Sequence, residues 1–304
     1  MADRLLVFSA VLVIGTGGCG SLWWMLDLWS HFWPFYGLGL VPVVFWQGTR
    51  RRWGQLAWAV VLTLVWLWPL GPYVVSRNRP SSFNLRIVVA NLFAENPTPE
   101  VALQFLREQD ADVFVLLEVD AEWMTHLTTL SEDYPFGKIL PREDNFGLAV
   151  LSRRPLESVV QKHFGTARVP TLIAELADPP LRILATHPLP PMGATNTAHR
   201  DSQLTELAEL CAAEDRATII AGDLNITPWS STFRNTLTLG RLADSAWGLG
   251  IQPTWPTWTP APLIPIDHLL TSRQVQTVRR HVGPAIGSDH RPVVIDIAVS
   301  AGID

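Results

Sequence analysis

Ala221-Gly222-Asp223-Leu224-Asn225 is the stretch from which the fold and chemistry of this chain are best inferred. The apolar, β-branched residues 217–220 precede it and predict a buried strand that ends at Asp223. On an extended strand end, Asp223 and Asn225 would project to the same side, because side chains alternate along a strand. The carboxylate can take a proton, and the amide can donate to an anionic oxygen. The pair suits hydrolysis of a phosphate ester, whereas the motif taken alone also fits an Asx turn after a core strand.

Polar side chains also stand at the ends of other predicted apolar strands. These residues are Asn91, Glu118, His187, Asp267, Asp289 and His290, and the strands are residues 85–90, 112–117, 181–185, 266–270 and 293–297. Taken singly, a polar group at a strand end is ordinary for a surface loop. Six of them in this order, together with the Asp223 motif, predict one catalytic centre.

The N-terminal quarter of the chain is almost free of charge. The whole chain is 48% hydrophobic and only 17% charged, and residues 5–26, 28–49 and 53–76 contain no Lys, Arg, Asp or Glu. Each run has about the length of a helix of ~20 residues that crosses a bilayer. We therefore predict a bundle of three transmembrane helices, the second interrupted by Pro34 and Pro42. A cleavable signal at residues 5–19 is the alternative for the first run.

The basic residues around these runs predict the orientation of the chain in a cell membrane. Arg50, Arg51 and Arg52 lie between the second and third runs, Arg4 precedes the first, and the link 27–31 has no Lys or Arg. By the positive-inside rule, the N-terminus is then cytoplasmic and everything after the third run is extracytoplasmic. The predicted organisation is an anchor at residues 1–76, a linker at 77–82 and a catalytic domain at 83–304.

The charge of the extracytoplasmic part argues against a nucleic-acid partner. Residues 78–304 carry 18 basic and 26 acidic side chains, a net charge of −8. A protein that binds nucleic acid without sequence preference needs an excess of Lys and Arg to neutralise phosphates. The expected partners are the lipid bilayer and a phosphoester substrate, and the sequence predicts no oligomeric state.

The ordered motifs resemble the endonuclease/exonuclease/phosphatase superfamily, which includes pancreatic deoxyribonuclease, apurinic endonucleases, inositol polyphosphate 5-phosphatases and neutral sphingomyelinases. The resemblance covers roughly residues 83 to 300. It rests on Val89-Ala90-Asn91, Leu117-Glu118-Val119, Thr186-His187, Gly222-Asp223-Leu224-Asn225, Ile266-Asp267-His268 and Gly287-Ser288-Asp289-His290-Arg291-Pro292. It implies an α/β (α+β) fold, a DNase I-like four-layer sandwich with two β-sheets between layers of helices.

The resemblance also implies a metal site. Glu118, assisted by Asn91 and Asp289, would hold Mg²⁺ or Mn²⁺, and hard oxygen ligands of this kind suit these cations better than zinc. The metal would polarise a phosphoryl oxygen and offset charge on the leaving group. Asn145 would border the site.

The remaining residues of the set would act on water and on phosphate. Asp267 would hold His290, and this pair together with Asp223 would align and deprotonate the attacking water. Asn225 and His187 would bind the non-bridging oxygens. No covalent intermediate is needed, and the sequence assigns no glutamate to support His187.

The anchor adds a prediction about the substrate. Three apolar helices followed by this domain are similar in architecture to the teicoplanin-resistance membrane phosphatases, proposed to act on undecaprenyl pyrophosphate. We predict a membrane-anchored phosphatase or phosphodiesterase that acts on a lipid-linked phosphate or pyrophosphate. Trp247, Trp255 and Trp258 would contact lipid at the rim of the site or pack in the core. An extracytoplasmic nuclease is the alternative, and a non-catalytic scaffold is disfavoured by the complete set of site residues.

Overall fold

Two six-stranded β-sheets form the centre of the structure, a computed structural model that describes residues 8, 23–260 and 263–300. In this part of the chain the strands are β1 (Leu85–Asn91), β2 (Val113–Leu117), β3 (Phe136–Leu140), β4 (Leu148–Ser152), β5 (Leu156–His163), β6 (Pro170–Leu176), β7 (Leu181–Thr186), β8 (Thr218–Asp223), β9 (Ala243–Asp244), β10 (Asp267–Thr271), β11 (Val275–Val282) and β12 (Val293–Val299). The first sheet has the order β11-β12-β1-β2-β4-β3, and the second has the order β5-β6-β7-β8-β10-β9.

Helices cover the outer faces of both sheets and also form the N-terminal region. Within the described residues they are α1 (Trp24–Ser30), α2 (Trp33–Leu38), α3 (Leu40–Thr49), α4 (Trp53–Leu67), α5 (Gly71–Val74), α6 (Pro99–Glu108), α7 (Ala121–Thr128), α8 (Ala194–Ala213) and α9 (Ser231–Gly240). A 3₁₀ turn, Trp68–Leu70, joins α4 to α5.

The strands of the inner layers are apolar on both faces, because each sheet is covered on both sides. In β1, Ile87 and Val89 point into the core between the two sheets, whereas Val88 and Ala90 pack towards α6 and α7. The second sheet is covered in the same way by α8 and α9, where Leu204 is buried. The order of layers is therefore helix, sheet, sheet, helix, which confirms the two-sheet α/β sandwich implied by the resemblance.

Strand register brings the predicted site residues to one edge of the sandwich. β1 and β2 are parallel and pair Asn91 with Leu117, directly before Glu118. β8 and β10 are antiparallel and pair Asp223 with Asp267. Since β7 runs parallel to β8, the residue that follows it, His187, reaches the same edge.

The predicted second transmembrane run does not form one helix. It is divided among the end of α1 and the short helices α2 and α3, with Pro34 and Pro42 in the first turns of α2 and α3. A proline is tolerated in a first turn and interrupts a helix elsewhere, which explains the break. Among the described residues, one helix is long and apolar enough to cross a membrane, the 22-residue segment Trp53–Val74. Nearly all of the first predicted run, and the alternative signal, lie outside the described residues.

The N-terminal helices pack directly on the predicted catalytic domain. The Trp229 indole donates a hydrogen bond of 2.9 Å to the carbonyl oxygen of His31. The Tyr73 hydroxyl, in α5, donates to a carboxylate oxygen of Asp244 at 2.9 Å. Trp229 also lies in a buried apolar cluster with helix residues Trp33, Leu40, Leu62 and Leu70. Contacts between the predicted anchor and the predicted catalytic domain are therefore made by buried side chains and not by residues 77–82 alone.

A buried ion pair reinforces this contact. Nη2 of Arg200, in α8, lies 2.8 Å from Oδ2 of Asp27, in α1, and the side chains are 0% and 3% exposed. The Ser230 hydroxyl donates to Oδ1 of Asp27 at 2.5 Å. Nη1 of Arg200 donates to the carbonyl oxygen of Asn225 at 3.1 Å. One guanidinium thus joins an N-terminal helix to the loop that carries the Asp223 motif.

Candidate active site

A buried histidine between two carboxylates forms the centre of the site. Nδ1 of His290 lies 2.8 Å from Oδ2 of Asp267, and its Nε2 lies 3.6 Å from Oδ2 of Asp223. Burial alone would lower the pKa of His290, but the charges of Asp267 and Asp223 outweigh burial and raise this pKa to about 10. His290 is therefore an imidazolium at neutral pH, hydrogen-bonded to Asp267 and facing Asp223.

The two carboxylates differ in proton affinity. Burial raises the pKa of Asp223 to about 6, and the charges of His290 and His187 oppose this shift. Burial acts in the same direction on Asp267, but its charged hydrogen bond with His290 prevails, and the pKa of Asp267 is lowered. Asp223 is thus the carboxylate of this group that is best suited to accept a proton near neutral pH.

His187 is a second cationic group on the other side of Asp223. Its Nδ1 donates to the carbonyl oxygen of Asp223 at 3.0 Å, and its Nε2 lies 3.7 Å from Oε1 of Glu118. Burial lowers the pKa of His187, but Glu118 and Asp223 together raise it to about 9. Glu118 is therefore a carboxylate that favours the charged form of His187, although it is too distant for a hydrogen bond. The Phe146 ring covers the imidazole, with ring centroids 5.4 Å apart.

Glu118, Asn91 and Asp289 provide oxygen atoms that fit a divalent cation. The Asn91 amide donates to Oε1 of Glu118 at 2.8 Å, and its own oxygen accepts from the Phe93 amide at 3.0 Å. The carboxylate of Asp289 accepts from the Trp255 indole through Oδ2 at 3.2 Å, whereas its Oδ1 is buried without a hydrogen-bond partner. A buried carboxylate oxygen without a partner is costly, and a cation would satisfy it.

The charge state of the same residues supports this fit. Burial raises the pKa of Asp289, and the charge of Glu118 adds to this shift, so the two negative charges act on each other. The backbone of Glu118 lies in the left-handed region, with φ 56, and this conformation is strained for a residue other than glycine. Asp223, Asp267 and His290 also present ligand atoms within 4.8 Å of one another, but Nδ1 of His290 already donates to Asp267 at 2.8 Å.

Asn225 departs from the sequence prediction. Its φ is 51, so the chain turns there, and the expectation that Asp223 and Asn225 share one side of an extended strand end is wrong. The Asn225 amide N–H instead donates to Oδ1 of Asp223 at 2.9 Å, which is an Asx turn, and its side-chain amide donates to the carbonyl oxygen of Pro188 at 3.0 Å. The turn keeps Asn225 beside Asp223 because asparagine tolerates the left-handed region.

Gly222 is required where β8 approaches β7. Its φ is +153, and a Cβ at this position would lie 1.9 Å from the carbonyl oxygen of Thr186. Only glycine allows this approach, which places His187 against the carbonyl oxygen of Asp223.

The three tryptophans and Asn145 lie at different positions around the His290 centre. Trp255 binds Asp289, and Trp258, which is 67% exposed, packs edge-on against Trp255 at a centroid distance of 5.2 Å. Trp247 lies beneath the guanidinium of Arg77, 4.4 Å from ring to cation. Asn145 is exposed with φ 65, next to the ring that covers His187.

Two features of the site were not predicted from sequence. The first is the contact of Phe146 with His187. Because Asn145 was predicted to border the site, the adjacent position of Phe146 in the sequence was the signal that could have indicated it. Arg200 and Asp27 are 173 positions apart, and no pattern in the chain connects them.

Comparison with protein families identifies the chain. Its sequence matches the Endonuclease/Exonuclease/phosphatase family over residues 88–290, which is more than half of its length. The chain belongs to this family. Members of the Endonuclease/Exonuclease/phosphatase family are hydrolases that act on phosphoesters and are typically dependent on divalent metals.

Solved structures with the same fold agree with the Endonuclease/Exonuclease/phosphatase assignment. The beta toxin 275-280 from Staphylococcus aureus is 16% identical with a TM-score of 0.54, and 70% of this chain and 99% of that chain are covered. An endonuclease/exonuclease/phosphatase from Beutenbergia cavernae is 22% identical with a TM-score of 0.56, covering 73% and 74%. TDP2 of D. rerio, humanized by 14 mutations, is 17% identical with a TM-score of 0.58, covering 71% and 99%. At these identities the likeness shows the fold alone. Comparison with curated protein sequences gives no match.

Proposed function

We propose that this Endonuclease/Exonuclease/phosphatase family protein is a membrane-anchored, Mg²⁺- or Mn²⁺-dependent hydrolase of a lipid-linked phosphate or pyrophosphate. It would act at the extracytoplasmic face of a cell membrane on a substrate of the undecaprenyl pyrophosphate class. One observation carries the proposal: in the last turn of the apolar helix Trp53–Val74, the Tyr73 hydroxyl donates a hydrogen bond to Asp244 of the catalytic domain. A catalytic domain packed on a helix able to cross a bilayer meets its substrate at a lipid surface.

The proposed reaction is direct attack of water on phosphorus. Asp223 accepts the proton of the water, because its pKa of about 6 leaves it ionised at neutral pH and still basic enough to react. His290 faces Asp223 as an imidazolium, is held in place by Asp267, and stabilises the negative charge that develops beside it.

The other site residues bind the phosphate. His187 carries a positive charge beside Asp223 and supplies a fixed donor for a non-bridging oxygen, and the Asn225 amide lies on the adjoining turn. Glu118, Asn91 and Asp289 would hold the divalent cation, which, when bound, polarises a phosphoryl oxygen and offsets charge on the leaving group.

The rim of the site supports a lipid substrate. Trp258 is largely exposed and packs on Trp255, which in turn binds the candidate metal ligand Asp289. An exposed aromatic ring beside a phosphate-binding centre provides apolar contact for the chain of a lipid whose phosphate is cleaved. The net charge of −8 over residues 78–304 disfavours the polyanionic substrate of a nuclease.

The experiment is a direct comparison of substrates. The full-length protein, in liposomes with Mg²⁺, is given a polyprenyl phosphate, a polyprenyl pyrophosphate, sphingomyelin and duplex DNA, with Asp223→Asn as the matched inactive control. We expect the polyprenyl substrates to be hydrolysed far faster than DNA. Rapid cleavage of DNA with no hydrolysis of any lipid phosphate would favour the nuclease instead.

A further inference from the structure

A cavity separate from the candidate active site is lined by residues 77–80, which follow the helix Trp53–Val74. Its volume is about 430 Å³, and its lining includes Arg77, Arg79, Arg241, Ser245, Trp247 and Arg273. Thr271, the last residue of β10, also lines it, whereas the first residue of this strand, Asp267, belongs to the candidate active site. Four residue steps of about 3.3 Å place the cavity roughly 13 Å away, at the opposite edge of the sheet.

The cavity has an excess of positive charge. Of its four arginines, Arg273 is paired with Asp215. The carboxylate of Asp244 also lines the cavity, but it already accepts the Tyr73 hydroxyl. Within residues 23–260 and 263–300, the guanidinium groups of Arg77, Arg79 and Arg241 have no carboxylate oxygen within 4.0 Å.

Two of these arginines are both held against Trp247 and act on each other electrostatically. Arg79 donates to the carbonyl oxygens of Trp247 and, at 2.8 Å, of Thr277. The guanidinium of Arg77 lies 4.4 Å from the centre of the Trp247 ring. Burial and then the charge of Arg77 lower the pKa of Arg79, which is the sign of two cations crowded together. An anion in the cavity would relieve this repulsion and form charge-assisted hydrogen bonds.

Ser245 provides an independent observation. Its side chain is 1% exposed and lines the cavity, yet its hydroxyl has no hydrogen-bond partner among the described residues. A buried hydroxyl without a partner is uncommon, and a ligand oxygen would satisfy it.

The position of Arg77 and Arg79 indicates where such an anion comes from. They follow Val74, the last residue of the apolar helix, by three and five positions, and the Arg50 to Arg52 cluster flanks its other end. A single basic cluster is enough to orient a span, so the two arginines at the far end need another explanation. On the predicted topology these arginines lie at the extracytoplasmic leaflet, where their guanidinium groups are suited to bind the phosphate oxygens of an anionic lipid.

We propose that this cavity binds a phosphate group, and that the group belongs to the head group of an anionic phospholipid in the leaflet beside Val74. Arg77, Arg79 and Arg241 bind the phosphate oxygens, and Ser245 donates a further hydrogen bond. The site does not take part in the proposed hydrolysis, so its occupancy is tested separately from catalysis.

The test measures binding to the full-length protein in a non-ionic detergent by isothermal titration calorimetry. The ligands are dihexanoyl phosphatidylglycerol, dihexanoyl phosphatidylcholine and inorganic phosphate, each at constant ionic strength. We expect phosphatidylglycerol to bind and phosphatidylcholine to bind at least tenfold more weakly. Inorganic phosphate that competes with equal affinity would assign the same site to the free anion, whereas no binding of either anion would overturn the proposal.

Variants locate the site. R77Q/R79Q should weaken phosphatidylglycerol binding at least about tenfold, given the worth of each arginine near a lipid surface. The control R107Q/R168Q removes the same charge from exposed positions outside the cavity and should leave binding unchanged. R241Q alters one exposed side chain, retains the fold, and should weaken binding about threefold. Equal effects of the pair R77Q/R79Q and its control, or unchanged binding in R241Q and R77Q/R79Q, would contradict the assignment.

Discussion

Asp27→Asn should loosen the N-terminal helices from the catalytic domain. The substitution keeps the size of the side chain but leaves the guanidinium of Arg200 buried with only part of its countercharge. Removing one partner of a buried ion pair costs about 3–5 kcal/mol. Asp201 remains 2.8 Å from the same guanidinium, and its side chain is 35% exposed, so it compensates in part. We therefore expect a loss of about 2–3 kcal/mol.

The assay is thermal unfolding of the full-length protein in detergent, together with steady-state kinetics. The expected loss corresponds to a decrease of roughly 3–5 °C in Tm for a protein of this size. A severalfold decrease in kcat should accompany it, because the same guanidinium holds the carbonyl oxygen of Asn225. The matched control is Asp201→Asn, whose more exposed carboxylate should matter less.

A double-mutant cycle separates the ion pair from other effects. Arg200→Met combined with Asp27→Leu replaces the pair by apolar side chains of similar size and should recover most of the lost stability. If the losses of stability in Arg200→Met and Asp27→Leu were strictly additive in the double variant, the ion pair would not join the two regions. An unchanged Tm in Asp27→Asn would show the same.

Four further outcomes test the proposed reaction and topology. Glu118→Gln should weaken apparent metal affinity, EDTA should abolish turnover and Mg²⁺ or Mn²⁺ should restore it; full activity after exhaustive chelation would exclude the metal mechanism. Asp223→Asn and His290→Ala should each lower kcat at least ~10²-fold with folding retained, and near-normal turnover would remove either residue from the catalytic set. A plot of kcat/KM against pH should rise through about pH 6 as Asp223 loses its proton and fall near pH 10 as His290 loses its own, so a flat acid limb between pH 5 and 8 would contradict the assigned base. An alkaline phosphatase fused at Asp304 should be active, and activity of a cytoplasmic reporter there would reverse the topology.

The arrangement of the site was largely predictable because it follows from strand direction. Asp223, His187 and Glu118 each stand at the end of an apolar run, and parallel neighbours bring such ends to one edge of a sheet. The pairing of Asp223 with Asp267 requires only that β10 returns antiparallel to β8. Local composition and strand direction were sufficient for this part of the structure.

Other features depend on contacts that no local pattern encodes. Asp27 appeared in the sequence as one charge between two apolar runs, and its partner Arg200 lies 173 positions away on a helix where it is fully buried. The turn at Asn225 was ambiguous, because asparagine is compatible with both an extended and a left-handed backbone. The division into residues 1–76, 77–82 and 83–304 stays a prediction. The buried hydrogen bonds of Trp229 and Tyr73 connect the first of these parts with the third.

The packing of the N-terminal helices against the catalytic domain has a consequence for substrate choice. If the helix Trp53–Val74 crosses a bilayer, the hydrogen bond from Tyr73 to Asp244 and the ion pair of Asp27 with Arg200 hold the catalytic centre at a constant height above the lipid. The protein would then select substrates by the distance of their phosphate from the membrane. A phosphate at the height of Asp223 would be cleaved. A phosphate much closer to the acyl chains, or one carried on a long head group, would not reach Asp223.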